Sequence, residues 1–108
     1  MNEKEESPKA INVEVLNGLG LPGSAKVAAR YLKKKGLKVS KFGNAGTFSY
    51  DETLIVDWKG NVSASLLLSK LLKIDPSKII VYDKPSKTID VTVVLGKDWK
   101  QLSEQLKK

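Results

Sequence analysis

Ile11, Val13 and Val15 alternate with Asn12 and Glu14, the period-two signature of a strand with one buried face. From Gly23 the period lengthens: Ala25, Ala28, Ala29 and Leu32 share one helical face, which Val27 and Tyr31 widen. Pro22 suits a first helical turn, where its missing N–H costs nothing, and Gly36, after three lysines, suits a left-handed terminator. A second strand over 37–42 leads into the turn-forming GNAG at 43–46. TLIVDW at 53–58 repeats the strand signal, with Leu54, Val56 and Trp58 on one face, until Gly60 and Asn61 break it. Ala64, Leu67, Leu68 and Leu71 then recur at helical spacing, with Asn61 or Ser63 as N-cap and Asp75-Pro76 as the far boundary. A short strand over 79–82 and a turn-like DKPSK at 83–87 precede the cleanest alternation in the chain, Ile89, Val91, Val93 and Leu95. Asp98 and Gln101 fit a capping box for a tail helix over 98–107, with Trp99, Leu102 and Leu106 on one stripe. So short a helix must pack on something, either the sheet or a partner.

The order is strand, helix, strand, strand, helix, strand, strand, tail helix. Right-handed crossovers place both main helices on one face of a single mixed sheet, which predicts an α+β two-layer sandwich of the ferredoxin-like βαββαβ(β) kind. The 108 residues fit one core, so residues 10–108 are expected to form a single domain. MNEKEESPK at 1–9 reads as a disordered leader or linker. No apolar run approaches the length needed to cross a bilayer, and no signal sequence is apparent.

Charge and chemistry narrow the picture. The chain has no cysteine and no histidine, which excludes disulfides, thiolate or imidazole metal sites, and His-dependent triads and dyads. The formal net charge is +7, and no acid occurs between Glu14 and Asp51. That interval holds Lys26, Arg30, Lys33, Lys34, Lys35, Lys38 and Lys41, a field suited to nucleic acid, anionic lipid or an anionic wall polymer, with the first six as the candidate anion-binding set. Helical spacing lets Lys26, Arg30 and Lys33 or Lys34 share a face while Lys35 points elsewhere. The plainer reading is a solvated face whose lysines complement the negative end of the helix dipole.

Gly18, Gly20 and Gly23 fall at the spacing of a dinucleotide-binding fingerprint. Such a site needs an acid about 20 residues on to bind the ribose, and here Phe42, Gly43 and Asn44 end the second strand. No nucleotide and no other cofactor are expected. Asn17, Gly18, Gly20 and Gly23 read instead as a structural loop, the glycines shaping the backbone and Asn17 tying down the turn. Asp51, Glu52 and Asp57 are the only acids clustered near a strand, and alternation sends their side chains apart. No metal site and no catalytic residue are assigned, so the chain is not expected to be an enzyme. Trp58 and Trp99 suit either core packing or a sugar-stacking surface.

The stretches VEVLNGLGLPGSAKVAARYLKKKGLKV (13–39), FGNAGTFSYDETLIV (42–56) and DVTVVLGKDW (90–99) together resemble the LytR C-terminal domain family. That family opens with a strand, Asn-Gly-(Thr or Ser)-Gly, two residues, Gly, and an alanine-rich helix. Leu19 stands where the family has Thr or Ser. The resemblance implies a non-catalytic extracytoplasmic accessory module in cell-envelope, wall-glycopolymer biogenesis, tethered through a longer parent protein. Its implied partners are an anionic cell-wall polymer, the membrane surface or another envelope protein. The alternative is a nucleic-acid-binding module using a basic face on a ferredoxin-like sheet, which requires stacking aromatics on the central strands.

Overall fold

The computed structural model describes residues 11–82 and 88–106. The leader expected at 1–9 and the DKPSK turn at 83–87 lie outside the described residues. The elements run β1 (Asn12–Asn17), α1 (Ser24–Lys34), β2 (Lys38–Asn44), β3 (Leu54–Asp57), α2 (Val62–Leu72), β4 (Ile79–Val81), β5 (Val91–Leu95) and α3 (Trp99–Leu106). A 3-10 turn at Pro76–Lys78 precedes β4.

The strands form one mixed sheet in the order β2-β1-β5-β3-β4. β1 is parallel to β2 and β5, and β3 is parallel to β4 but antiparallel to β5. The ferredoxin-like expectation is therefore not met. In that arrangement a third strand separates the two strands of each strand-helix-strand unit, whereas here β1 lies beside β2 and β3 beside β4. The last strand joins the two units. All five β5 residues are buried, and a strand covered on both faces belongs at the middle of a sheet.

Helices α1 and α2 lie on the same face. Val13, Val15, Ile55, Val91, Val93 and Leu95 from the sheet meet Ala25, Ala28, Ala29 and Leu32 from α1 and Ala64, Leu68 and Leu72 from α2 in one core. The alanines let α1 approach the strands closely. Trp99 is buried in the same core, with Leu102 and Leu106 packed against it, so the stripe of α3 covers its own domain.

Several boundaries differ from the sequence pattern. α1 begins at Ser24 after Gly23 (φ 81°), which leaves Pro22 in the preceding turn. β2 runs on through Asn44, so half of GNAG is strand. The Asp98 carboxylate does not form a capping box: it accepts from the Thr53 backbone N at 2.8 Å and from Thr53 Oγ1 at 2.7 Å, fastening the start of α3 to the start of β3. Of the two candidate caps for α2, Asn61 serves, accepting from the Ala64 N–H at 3.2 Å. Gly36 (φ 94°) follows α1 as a left-handed residue, as its position predicts.

The opposite face of the sheet carries a row running Lys41, Glu14, Thr92, Val56 and Ile80 across all five strands. Trp58 Nε1 donates to Thr92 Oγ1 at 2.7 Å, and Thr92 Oγ1 donates to Glu14 Oε1 at 2.8 Å. Lys41 Nζ approaches Glu14 Oε2 at 3.7 Å. The buried Glu14 carboxylate is thus supplied with a hydroxyl and a cation, as burial of a charge requires.

Candidate anion-binding face

The inward alanine stripe of α1 leaves its outer flank to Lys26, Arg30 and Lys33. With Ala29 and the exposed Phe42 of β2, these three cations line a cleft of ≈ 230 Å³. A second cleft of ≈ 260 Å³ shares Lys26 and Phe42 and runs on past Ala25 to Asn17, Gly23, Gly43 and Asn44. The two make a groove along the seam between α1 and β2. Lys26 and Lys33 are about 10 Å apart along the helix axis, comparable with the screening length of about 8 Å at physiological salt. The three cations therefore act as one field. No acid lies in the first turn of α1 to neutralise its positive end.

Among the described residues none of Lys26, Arg30, Lys33, Lys34, Lys35 or Lys38 enters an ion pair; the paired lysines are Lys41, Lys59, Lys78 and Lys97. The fold gathers only three of the six candidates. Lys35 Nζ lies over the Tyr31 ring, 5.4 Å from its centroid, and Lys34 and Lys38 are exposed but line neither cleft. Phe42 was not foreseen as the groove's floor. A register irregularity beside Val13 and Glu14 makes Ser40 an extra residue, so Val39 pairs with Val13 and Phe42 with Val15, both on the helix side. No feature of the hydrophobic period marks that bulge.

The glycine loop is closed on itself. Asn17 Oδ1 accepts from the backbone N of Leu19 (3.2 Å) and Gly20 (2.9 Å), and its Nδ2 donates to Leu21 O at 2.9 Å. Gly18 N donates to Leu95 O at 2.9 Å and Ser24 N to Leu21 O at 3.1 Å. Four of the loop's amides are thereby occupied within the protein. A Cβ on Gly18 would sit 2.7 Å from the Tyr50 ring and 2.8 Å from Leu95 O, so close packing alone requires glycine there. Leu19, at the family's Thr or Ser position, packs against the core.

The acids near β3 are dispersed. Asp57 is fully buried and accepts from the Lys59 and Asn61 backbone N and from Ser65 Oγ, each at 3.1 Å. Asp51 pairs with Lys97 at 3.6 Å and Glu52 with Lys78 at 2.6 Å. That bond, first among its causes, raises the Lys78 pKa. Among the described residues no group of three acids is placed to hold a metal ion. The tryptophans do not share a surface: Trp99 is in the core, while Trp58 stacks on Tyr82 beyond the ends of β3 and β4, ring centroids 5.3 Å apart. The central strands β1, β5 and β3 carry no aromatic residue, whereas the nucleic-acid reading calls for stacking aromatics there. Lys97 and Lys100 join Leu19, Gly20 and Leu21 around a further cleft of ≈ 340 Å³, which the sequence pattern did not single out.

The sequence profile of the family described as LytR cell envelope-related transcriptional attenuator matches residues 10–99. No curated protein matches the chain. Its fold is similar to the soluble domain of a conserved hypothetical secreted protein from Mycobacterium marinum, with a TM-score of 0.62 and 20% sequence identity. The match covers 87% of this chain and 64% of that one, so the chain spans less than two thirds of that domain's length.

Proposed function

Because the chain belongs to the LytR cell envelope-related transcriptional attenuator family over residues 10–99, we propose that it is a non-catalytic, extracytoplasmic accessory module. In this reading it holds an anionic cell-wall glycopolymer in the groove of Lys26, Arg30 and Lys33. The observation that carries the reading is the groove itself: three cations without ion pairs among the described residues, on one flank of a helix, above an exposed aromatic floor. A phosphodiester or carboxylate of the polymer meets the cations, and a sugar or polyol face meets the Phe42 ring. The similarity to a secreted protein's domain supports a location outside the cytoplasm. No helix among the described residues is long and apolar enough to cross a membrane; in this reading the module is tethered through a longer parent protein.

Retention of the chain on immobilised teichoic acid tests this reading. Binding is expected at about 0.05 M salt, to fall steeply by about 0.5 M, and to be lost in a Lys26→Glu, Arg30→Glu variant of unchanged thermal stability. Retention that ignores both salt and the double variant would overturn it, as would binding to anionic lipid vesicles or to another envelope protein with none to the polymer.

A further inference from the structure

The glycine loop is a wall shared by two clefts. Asn17 and Gly23 line the end of the groove that begins at Lys33, Arg30 and Lys26. Between those two residues, Leu19, Gly20 and Leu21 line the ≈ 340 Å³ cleft completed by Lys97 and Lys100. Leu21 and Gly23 are two residues apart, so at most about 7 Å of chain separates the clefts. The wall is braced, with Asn17 Nδ2 donating to Leu21 O and Gly18 N to Leu95 O, both at 2.9 Å. It is also low: a Cβ on Gly23 would meet nothing within 4 Å, so open space lies over the backbone there. Each cleft pairs a cation with exposed apolar surface. On the groove side these are Lys26 and the half-exposed Phe42. On the far side they are Lys100 and Leu21, with the half-exposed Phe48 packed against Gly20. Lys100 enters no ion pair among the described residues. Three acids lie on the elements around this cleft. Asp98 is committed to Thr53, and Glu104 is four residues on from Lys100, about 6 Å farther along α3. Asp51 approaches Lys97 at 3.6 Å with both side chains largely exposed, a contact of small worth. Lys100 is therefore the principal cation of the far cleft.

We infer that the polymer strand crosses the glycine loop, and that the cleft of Leu19, Gly20, Leu21, Lys97 and Lys100 is a second seat for the same strand. The inference rests on the reading of the Lys26, Arg30 and Lys33 groove as a glycopolymer site and lengthens that site into a path. Lys33 to Gly23 is ten residues of helical rise, about 15 Å, and the loop adds at most about 7 Å. A strand of roughly 20 Å or more therefore engages both seats. An apolar lining with one principal cation suits a polyol or sugar unit carrying a single anionic group, and the cleft adjoins the groove. One unit alone is held weakly there. Joined to units already in the groove, it meets the cleft at an effective concentration in the mM range, so the domain selects for length. The loop's closed hydrogen bonding then acquires a use: its amides do not hold the anion, but they fix the height of the ridge over which the strand passes.

Titration with teichoic acid fragments of roughly three and roughly twelve repeats, at about 0.15 M salt and compared per phosphate, tests the inference. The long fragment is expected to bind at least about tenfold more tightly than the short one. Lys97→Gln, Lys100→Gln, at two exposed positions, is expected to remove most of that gain while changing the affinity of the short fragment by about twofold or less. Lys34→Gln, Lys35→Gln, with the same change of charge outside both clefts, is expected to keep the gain. Amide chemical shifts of Leu19, Gly20, Leu21 and Lys100 should move with the long fragment and not with the short one. Equal affinity for the two lengths, or a gain that survives Lys97→Gln, Lys100→Gln, would overturn the second seat and leave the groove reading standing. Binding of neither fragment would overturn the groove reading and the second seat with it.

Discussion

Thr92 shows what a single atom can hold in place. Its Oγ1 accepts from the Trp58 indole N–H and donates its own O–H to Glu14, so Thr92→Val keeps the shape and leaves a buried carboxylate oxygen without its hydroxyl donor. A loss of about 1–3 kcal/mol is expected in urea unfolding, with a shift in tryptophan emission because Trp58 is one of two reporters. Asn17→Ala removes three loop hydrogen bonds and should cost a comparable amount. At the 3-10 turn Asp75 accepts from the Ser77 backbone N at 2.9 Å, which, as the largest of several causes, lowers its pKa below the usual 3.8. A carboxylate with a lowered folded pKa favours the fold above its ordinary value, and its support fades as pH falls through the folded value. Asp75→Asn should therefore narrow the difference between Tm at neutral pH and Tm near pH 2.5. The sequence made the role of Asn17 legible because an Asx side chain acts within its own turn. The Trp58, Thr92, Glu14 relay was not legible, since its members are brought together only by strand pairing.

Elements were legible where one period ran unbroken. The alanine face of α1 and the alternation of β5 both correspond to buried surfaces. The order of strands was not, because periodicity says which face is apolar and nothing about which strand lies beside which. β5 gave a hint: three of its five residues are valine and all are buried, which favours the sheet centre. The bulge in β2 was invisible for a related reason, since one extra residue changes the phase without changing composition. α2 separates inner from outer surface within one run of leucines. Leu68 is fully buried and Leu66 is 43% exposed. Leu68→Ala should cost about 2–5 kcal/mol through lost burial and a residual cavity, whereas Leu66→Ala should be close to neutral. Chemical denaturation of the two variants side by side checks that contrast, and Asn61→Ala, which removes the cap on Ala64 N, should cost about 0.5–2 kcal/mol.

At the scale of the molecule the chain sorts its surface into a cationic edge at α1 and β2 and an apolar corner at α2 and β4. The sequence revealed the first as an interval without acids, but not that packing would divide the six candidate cations, aiming three into a groove and leaving Lys34, Lys35 and Lys38 outside it. That division separates two electrostatic pictures. If polymer binding followed net charge alone, neutralising any three of the six cations would weaken it equally, because diffuse attraction depends on total charge at distances beyond the screening length. If the groove is the site, Lys26→Gln, Arg30→Gln, Lys33→Gln removes direct charge-assisted contacts, while Lys34→Gln, Lys35→Gln, Lys38→Gln removes only the screened remainder. Both triple variants have the same formal charge, and all six positions are exposed, so neither is expected to disturb folding beyond about 0.5 kcal/mol per site. Titration with a soluble teichoic acid at about 0.15 M salt is expected to show at least about a tenfold loss for the groove variant and a loss of about twofold or less for the other. Equal losses would mean that the cationic edge attracts polymer without a defined seat.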